Sequence, residues 1–170
     1  MGFLSPSAVL GQLSLRKDMV AADFGCGSGG WVLPLAKILE DGKVYAIDIL
    51  EEPLSALRNK AKIEKLFNIE TIKSDVENGT RLLNNSCDLV LMTNLLFQSE
   101  SKRAILEEGK RVLKSGGEVL VVDWKRGASL GPKEGAVEPA EIKELFEEAG
   151  FKLKDEFQAG SYHYGLLFEK

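Results

Sequence analysis

From about residue 20 onward, short apolar runs alternate with longer amphipathic stretches, and this alternation constrains the fold more than any other feature of the chain. Strands separated by helix-length segments cannot pair as tight hairpins. They cross over and lie parallel, with the helices covering the two sheet faces. The strand-like runs are 20–24, 44–48, 71–73 with its neighbours, 88–93 and 118–123, and helical patterns fall at 30–39, 53–67, 102–113 and 138–149. Pro53 and Pro139 sit near helix starts, where a missing amide costs little, and Gly150 sits just past a helix end, where left-handed backbone is favoured. Pro34 is compatible with a helix that begins near Gly29.

After residue 150 the rhythm changes. Runs 151–157 and 162–168 are both strand-like and are joined only by Gln158-Ala159-Gly160-Ser161, a link so short that it demands antiparallel pairing. The expected architecture is therefore α/β: a Rossmann-like doubly wound sheet, mostly parallel, closed by an antiparallel C-terminal hairpin. With 170 residues, 44% of them hydrophobic, a single domain spanning 1–170 is expected. Its first 18 residues read as a helical segment, with Ser5 as cap, Pro6 in the first turn and a short helix over 8–13.

Composition narrows the function classes. The formal charge is -4 and no run of five Lys or Arg occurs, so no electrostatic footprint for nucleic acid is expected. Cys26 and Cys87 are far apart and outside any metal or redox spacing, so both read as reduced structural cysteines and no metal is expected. No apolar run approaches the roughly 18 residues of a membrane helix, and the N-terminus lacks a secretory pattern. Pro6 stands where a myristoylation pattern needs a hydroxyl residue. A cytoplasmic protein is the expectation, and its oligomeric state is left open.

The chemistry concentrates at the first strand-to-helix turn, Asp23-Phe24-Gly25-Cys26-Gly27-Ser28-Gly29-Gly30. Gly25, Gly27 and Gly30 spell G-x-G-x-x-G, which by itself fits a dinucleotide. Asp23 argues otherwise, because a carboxylate beside a pyrophosphate is unfavourable, whereas a ligand carrying an ammonium group needs an acceptor there. A second acid, Asp48, ends the next strand. An ionised carboxylate offers two acceptors to the two donors of a ribose diol.

The segment 20–30, together with Val44-Tyr45-Ala46-Ile47-Asp48, Ile72-Lys73-Ser74-Asp75-Val76, Cys87 through Asn94 and Arg111 through Leu120, resembles the class I S-adenosylmethionine-dependent methyltransferases in order and spacing. That resemblance implies S-adenosylmethionine as cofactor, with contacts from Asp23, Gly25, Cys26, Gly27, Gly29, Asp48, Ile49, Asp75, Val76 and Asn94. Asp23 would meet the methionine end, Asp48 the ribose and Asp75 the adenine amino group. Simple helix capping is the competing reading of Asp75.

In an open parallel sheet, ligands lie beyond the carboxyl ends of the strands. This rule also selects Asn94, Asp123 and Lys125, and the hairpin brings His163 to the same edge. Asn94 and His163 are the candidate catalytic residues, the histidine because its charge changes near neutral pH. Asp123 reads as a structural acid. The glycine-rich stretch 126–137 is long for a strand-to-helix connection and reads as a lid. A small-molecule acceptor is expected, since few residues precede the first strand and no inserted domain is present. Four other readings stay open: methylation of protein or RNA with a partner, a non-catalytic cofactor-binding module, an NAD oxidoreductase, and a polyamine synthase.

Overall fold

The structure is a computed structural model describing residues 2–170. Helix α1 (Pro6–Leu10) precedes β1 (Val20–Phe24), α2 (Val32–Ile38), β2 (Lys43–Asp48), α3 (Glu51–Ile63) and β3 (Ile69–Lys73). Then come β4 (Cys87–Thr93), α4 (Lys102–Val112), β5 (Leu113–Trp124), α5 (Pro139–Glu148), β6 (Lys152–Gln158) and β7 (His163–Glu169). Two 3-10 turns, Val76–Asn78 and Leu96–Gln98, follow β3 and β4.

All seven strands share one sheet in the order β3-β2-β1-β4-β5-β7-β6. Strands β1 to β5 pair in parallel, while β7 runs antiparallel to both β5 and β6. This is the α/β sheet with a C-terminal hairpin that the sequence rhythm implies. Because side chains alternate along a strand, each central strand feeds two cores. Ala21, Leu89, Leu91 and Leu120 pack against Leu35, Leu54 and Leu57 of α2 and α3. Ala22, Val90, Met92 and Val121 pack against Ile105 of α4 and Phe146 of α5 on the opposite face. Phe146 also stacks on Phe168 of β7 at 4.1 Å between ring centroids, which fastens α5 to the hairpin.

Several boundaries differ from the sequence reading, each for a local reason. The N-terminal helical segment contracts to Pro6–Leu10: Ser5 caps it by accepting from the Ala8 amide at 3.4 Å, and Gly11 ends it. Residues 11–19 contain no helix. Helix α2 starts at Val32 rather than Gly30, leaving Pro34 as its third residue. Helix α3 runs Glu51–Ile63 and stops before Phe67, because Lys65 takes left-handed backbone (φ 56). The Leu66 amide then reaches back to the Ala61 carbonyl, and the Lys65 amide to Lys62. This is the Schellman closure with a lysine in glycine's usual place. Leu113 belongs to β5 rather than to α4, pairing with Cys87, and β5 continues through Ser115-Gly116-Gly117 by way of a register shift.

Candidate active site

The sheet gathers the carboxyl ends of β1 to β5 on one edge, and a cleft of ≈ 600 Å³ opens there. Gly25, Gly27, Asp48, Ile49, Asp75 and Val76 all line it. Asp48 is 9% exposed, and each of its oxygens is held: Oδ2 accepts from the Gly27 amide at 2.9 Å, Oδ1 from the Leu50 amide at 3.0 Å. The β2 acid is thus fixed to the glycine turn of β1. Each oxygen keeps a second lone pair for a hydroxyl donor.

Gly25, Gly27 and Gly29 all take left-handed backbone in the turn, and Gly29 has the tightest surroundings of the three. Gly29 has φ +90, and a Cβ there would stand 2.4 Å from Cδ1 of Leu57. Gly30, the third glycine of the sequence fingerprint, has no positive φ and open space around it. The close approach of turn to helix that the fingerprint assigns to its last glycine is therefore made one residue earlier. From α3, Lys60 reaches back to the turn, its Nζ donating to the Ser28 carbonyl at 3.1 Å and to the Ser28 hydroxyl at 3.2 Å.

Asp23 lies beneath the cleft rather than in its wall. It is fully buried, and neither carboxylate oxygen has a hydrogen-bond partner. Burial, and secondarily the nearby Asp48, push its carboxyl well above the ordinary carboxylate range. Cys26 is buried beside it, and burial together with the two aspartates pushes its thiol up. Asp75 caps the first 3-10 turn, accepting from the Glu77 amide at 3.0 Å and from Nδ2 of Asn78 at 2.6 Å. Both a capping role and a place in the cleft wall are realised at this acid.

A second polar group collects where β4 and β5 end and β7 begins. Asn94 adopts left-handed backbone (φ 50), which asparagine tolerates well, and its amide donates to the Val122 carbonyl at 2.8 Å. Its Oδ1 is buried and unpartnered. Asp123 is structural: its carboxylate accepts from the Trp124 amide at 2.8 Å and the Phe97 amide at 3.2 Å, fixing the second 3-10 turn to β5. Burial pushes its carboxyl up to about 6, against the pull of those backbone amides. His163 pairs with Trp124 across β7 and β5, its ring 4.0 Å from the indole between centroids. It is buried, neither ring nitrogen has a partner, and burial followed by Lys125 holds its charge affinity below the usual histidine range. Tyr164 beside it has a buried, unpartnered hydroxyl.

Of the residues singled out from sequence, Asp23, Cys26, Gly29, Asn94 and His163 do not line the cleft. The cleft contains others that sequence reasoning passed over, among them Leu95, Glu77 and Gln98. Leu95 is packed so closely under Gly25 that a Cβ there would lie 2.9 Å from its Cδ1. Its place directly after Asn94 was the available signal. Glu77 accepts from the amides of Glu100 at 2.9 Å and Ser101 at 3.2 Å, joining the first 3-10 turn to the start of α4. No sequence spacing announces that bond. Among the described residues, no group of three or more His, Cys, Asp or Glu is placed to hold a metal ion, and no helix is long and apolar enough to cross a membrane.

Comparison with known proteins identifies the family. A family model described as a methyltransferase domain matches residues 21–117. Demethylmenaquinone methyltransferase of Bacillus mycoides (strain KBAB4) is 30% identical over 128 residues, covering 74% of this chain and 53% of that protein. The Staphylococcus aureus (strain MRSA252) protein of the same name is 31% identical over 116 residues, covering 68% and 47%. The chain thus spans about half the length of the curated relatives it matches. A crystal structure of a SAM-dependent methyltransferase from Aquifex aeolicus superposes with a TM-score of 0.88 at 30% identity, covering 98% of this chain and 89% of that one.

The fold defines a Rossmann-like α/β protein with a cleft at the carboxyl edge of its sheet. The chain belongs to the class I S-adenosylmethionine-dependent methyltransferases, and S-adenosylmethionine is its cofactor.

Proposed function

We propose that this protein transfers the methyl group of S-adenosylmethionine to a small-molecule acceptor, acting as one domain over residues 1–170. The observation that carries the reading is the Asp48 carboxylate, pinned to the Gly27 and Leu50 amides in the wall of a ≈ 600 Å³ cleft. The residues present suit the cofactor. Asp48 has acceptor capacity left for the ribose hydroxyls, with Ile49 beside it in the cleft wall. The orphaned Asp23 carboxylate lacks the donors that an ammonium group would bring. Gly25, Cys26, Gly27 and Gly29 shape the turn around the methionine end. Asp75 and the backbone at Val76 hold the adenine, and Asn94 with its orphaned Oδ1 orients the cofactor's methionine end or an acceptor donor.

When bound, the cofactor supplies an electrophilic methyl carbon on a sulfonium, open to in-line attack. The chain's own contribution is alignment and exclusion of water. His163 is the catalytic candidate on the acceptor side. With burial disfavouring its charged form and its ring set at a tilt against Trp124, it has two unpartnered nitrogens with which to orient the acceptor or take its proton. The loop 126–137 packs beside this end: a Cβ on Gly131 would lie 3.1 Å from Cε3 of Trp124, and the Arg126–Glu138 ion pair spans its base at 3.2 Å. We read it as a lid, which predicts slower proteolysis of 126–137 once cofactor and acceptor are bound.

The small-molecule assignment is supported by the relatives named for demethylmenaquinone and by a formal charge of -4 with no run of five Lys or Arg. Two free, buried cysteines suit a reducing cytoplasm. Incubation with methyl-labelled S-adenosylmethionine and a fractionated extract tests the proposal. Label is expected in low-molecular-weight fractions. Label confined to protein or RNA would overturn the acceptor class, and tight binding of NAD in place of S-adenosylhomocysteine would overturn the cofactor.

A further inference from the structure

We propose that capture of the cofactor by this chain is a proton-releasing event, with Asp23 as the group that gives up the proton. The inference rests on the placement of Asp23 at the methionine end, and it concerns what the cofactor-free protein holds there.

Asp23 has no exposed surface and no hydrogen-bond donor on either oxygen. Its surroundings offer no counter-charge from any side. Its strand partners are Ala46 on β2 and Leu91 on β4, and the core on its face contributes Val32, Leu35 and Ala36 from α2. The ionisable groups that act on it or feel it are Asp48, of like sign, and Cys26, a thiol that burial keeps protonated. Thr93 ends the adjoining strand and carries no charge. Lys60 reaches the glycine turn but is bonded to Ser28. A bare carboxylate in such a place is strongly disfavoured, as burial without a partner disfavours any ion. Protonation removes that cost, and burial accordingly shifts the carboxyl well upward.

The methionine end of the cofactor carries an ammonium group, which stays charged below about pH 8. Its arrival supplies the missing donor and the missing positive charge together. The balance is one neutral carboxyl plus one ammonium ion going to one carboxylate–ammonium pair, with one proton passing to the solvent. Affinity therefore rises with pH by up to about tenfold per unit while Asp23 is protonated in the free protein. A ligand lacking the amino-acid end leaves Asp23 as it was and releases nothing.

The test is titration calorimetry of the intact protein with S-adenosylhomocysteine near pH 6, in buffers of differing ionisation enthalpy, which counts the protons exchanged. About one proton released per ligand is expected. With 5′-methylthioadenosine, which has the adenosyl group but no ammonium, the expected count is about zero, and Asp23→Asn should bring the S-adenosylhomocysteine count to about zero as well. The variant replaces a neutral acid with a neutral amide of the same shape, and the native measurement stands whether or not the variant folds. Binding of S-adenosylhomocysteine with no net proton exchange, or the same release from Asp23→Asn as from the native chain, overturns this inference and leaves the methyl-donor reading intact. Failure of S-adenosylhomocysteine to bind at all overturns both.

Discussion

The two halves of the ligand edge are built on different terms. On the β1 to β3 side, the cleft-lining acids are already engaged by nearby backbone: Asp48 accepts from Gly27 and Leu50, and Asp75 from Glu77. Where β4 and β5 end and β7 begins, Asn94 and His163 keep buried polar atoms with no partner, whereas Asp123 is satisfied. Apart from Asp23, whose buried oxygens have no donor, the β1 to β3 half is preformed for a ligand whose shape is fixed. An unsatisfied half carries a cost that a bound acceptor can relieve. The first is suited to holding the cofactor and the second to choosing what is methylated.

The sharpest way to break this division is Asp48→Ala. It removes the proposed ribose acceptor and the anchor of the glycine turn together, so affinity for S-adenosylhomocysteine should fall on the order of 10³-fold by calorimetry. A loss of under tenfold would mean that the β2 acid is not central to the cleft. His163→Ala should do the reverse, lowering kcat/KM for the true acceptor by about a hundredfold while leaving S-adenosylhomocysteine affinity nearly unchanged. Unaltered turnover would remove the histidine from the reaction.

Gly29→Ala tests the turn itself. The left-handed φ and the approach to Leu57 should together destabilise the protein by about 1–3 kcal/mol, read as a lower midpoint in urea. Gly30→Ala, with open space at that position, should cost far less. Equal losses would restore the literal G-x-G-x-x-G reading.

A pH series sharpens the comparison on the acceptor side. Asp123 has a folded-state pKa raised to about 6, so its contribution to stability is full below its unfolded value near 3.8 and is lost as the pH rises through about 6. His163 is shifted down from 6.5, so its contribution is present above that value and is lost as the pH falls. The difference in stability between native protein and Asp123→Asn should therefore change between about pH 4 and pH 6, in the native protein's disfavour as pH rises. A difference that is flat with pH would contradict the burial of this acid. The smallest effect belongs to Lys60→Ala, whose exposed side chain only steadies Ser28. Its S-adenosylhomocysteine affinity should fall by no more than about threefold.

The contrast between halves also explains what was legible in the sequence. The glycine turn, Asp23, Asp48 and Asp75 sit at or beside the ends of strands whose apolar runs are plain, so order along the chain was enough to place them on one edge. The hairpin was equally readable from its four-residue link, and it carried His163 to that edge. What the sequence did not display is whatever depends on pairing between distant segments. The Phe97 amide reaching Asp123, Glu77 reaching Ser101, and Leu95 packing under Gly25 are examples. Helix ends were misjudged where a non-glycine residue took glycine's conformation, as Lys65 does. That Asp23 has no partner at all was also invisible, since absence of a donor is a property of packing.

The division of labour is tested most directly by hydrogen–deuterium exchange of the intact protein with and without S-adenosylhomocysteine. The account predicts that protection is gained at the glycine turn, at Leu50 and at the Val76–Asn78 turn, while the amides of residues 161–164 exchange as before. Protection centred on residues 161–164, with the glycine turn unchanged, would contradict it.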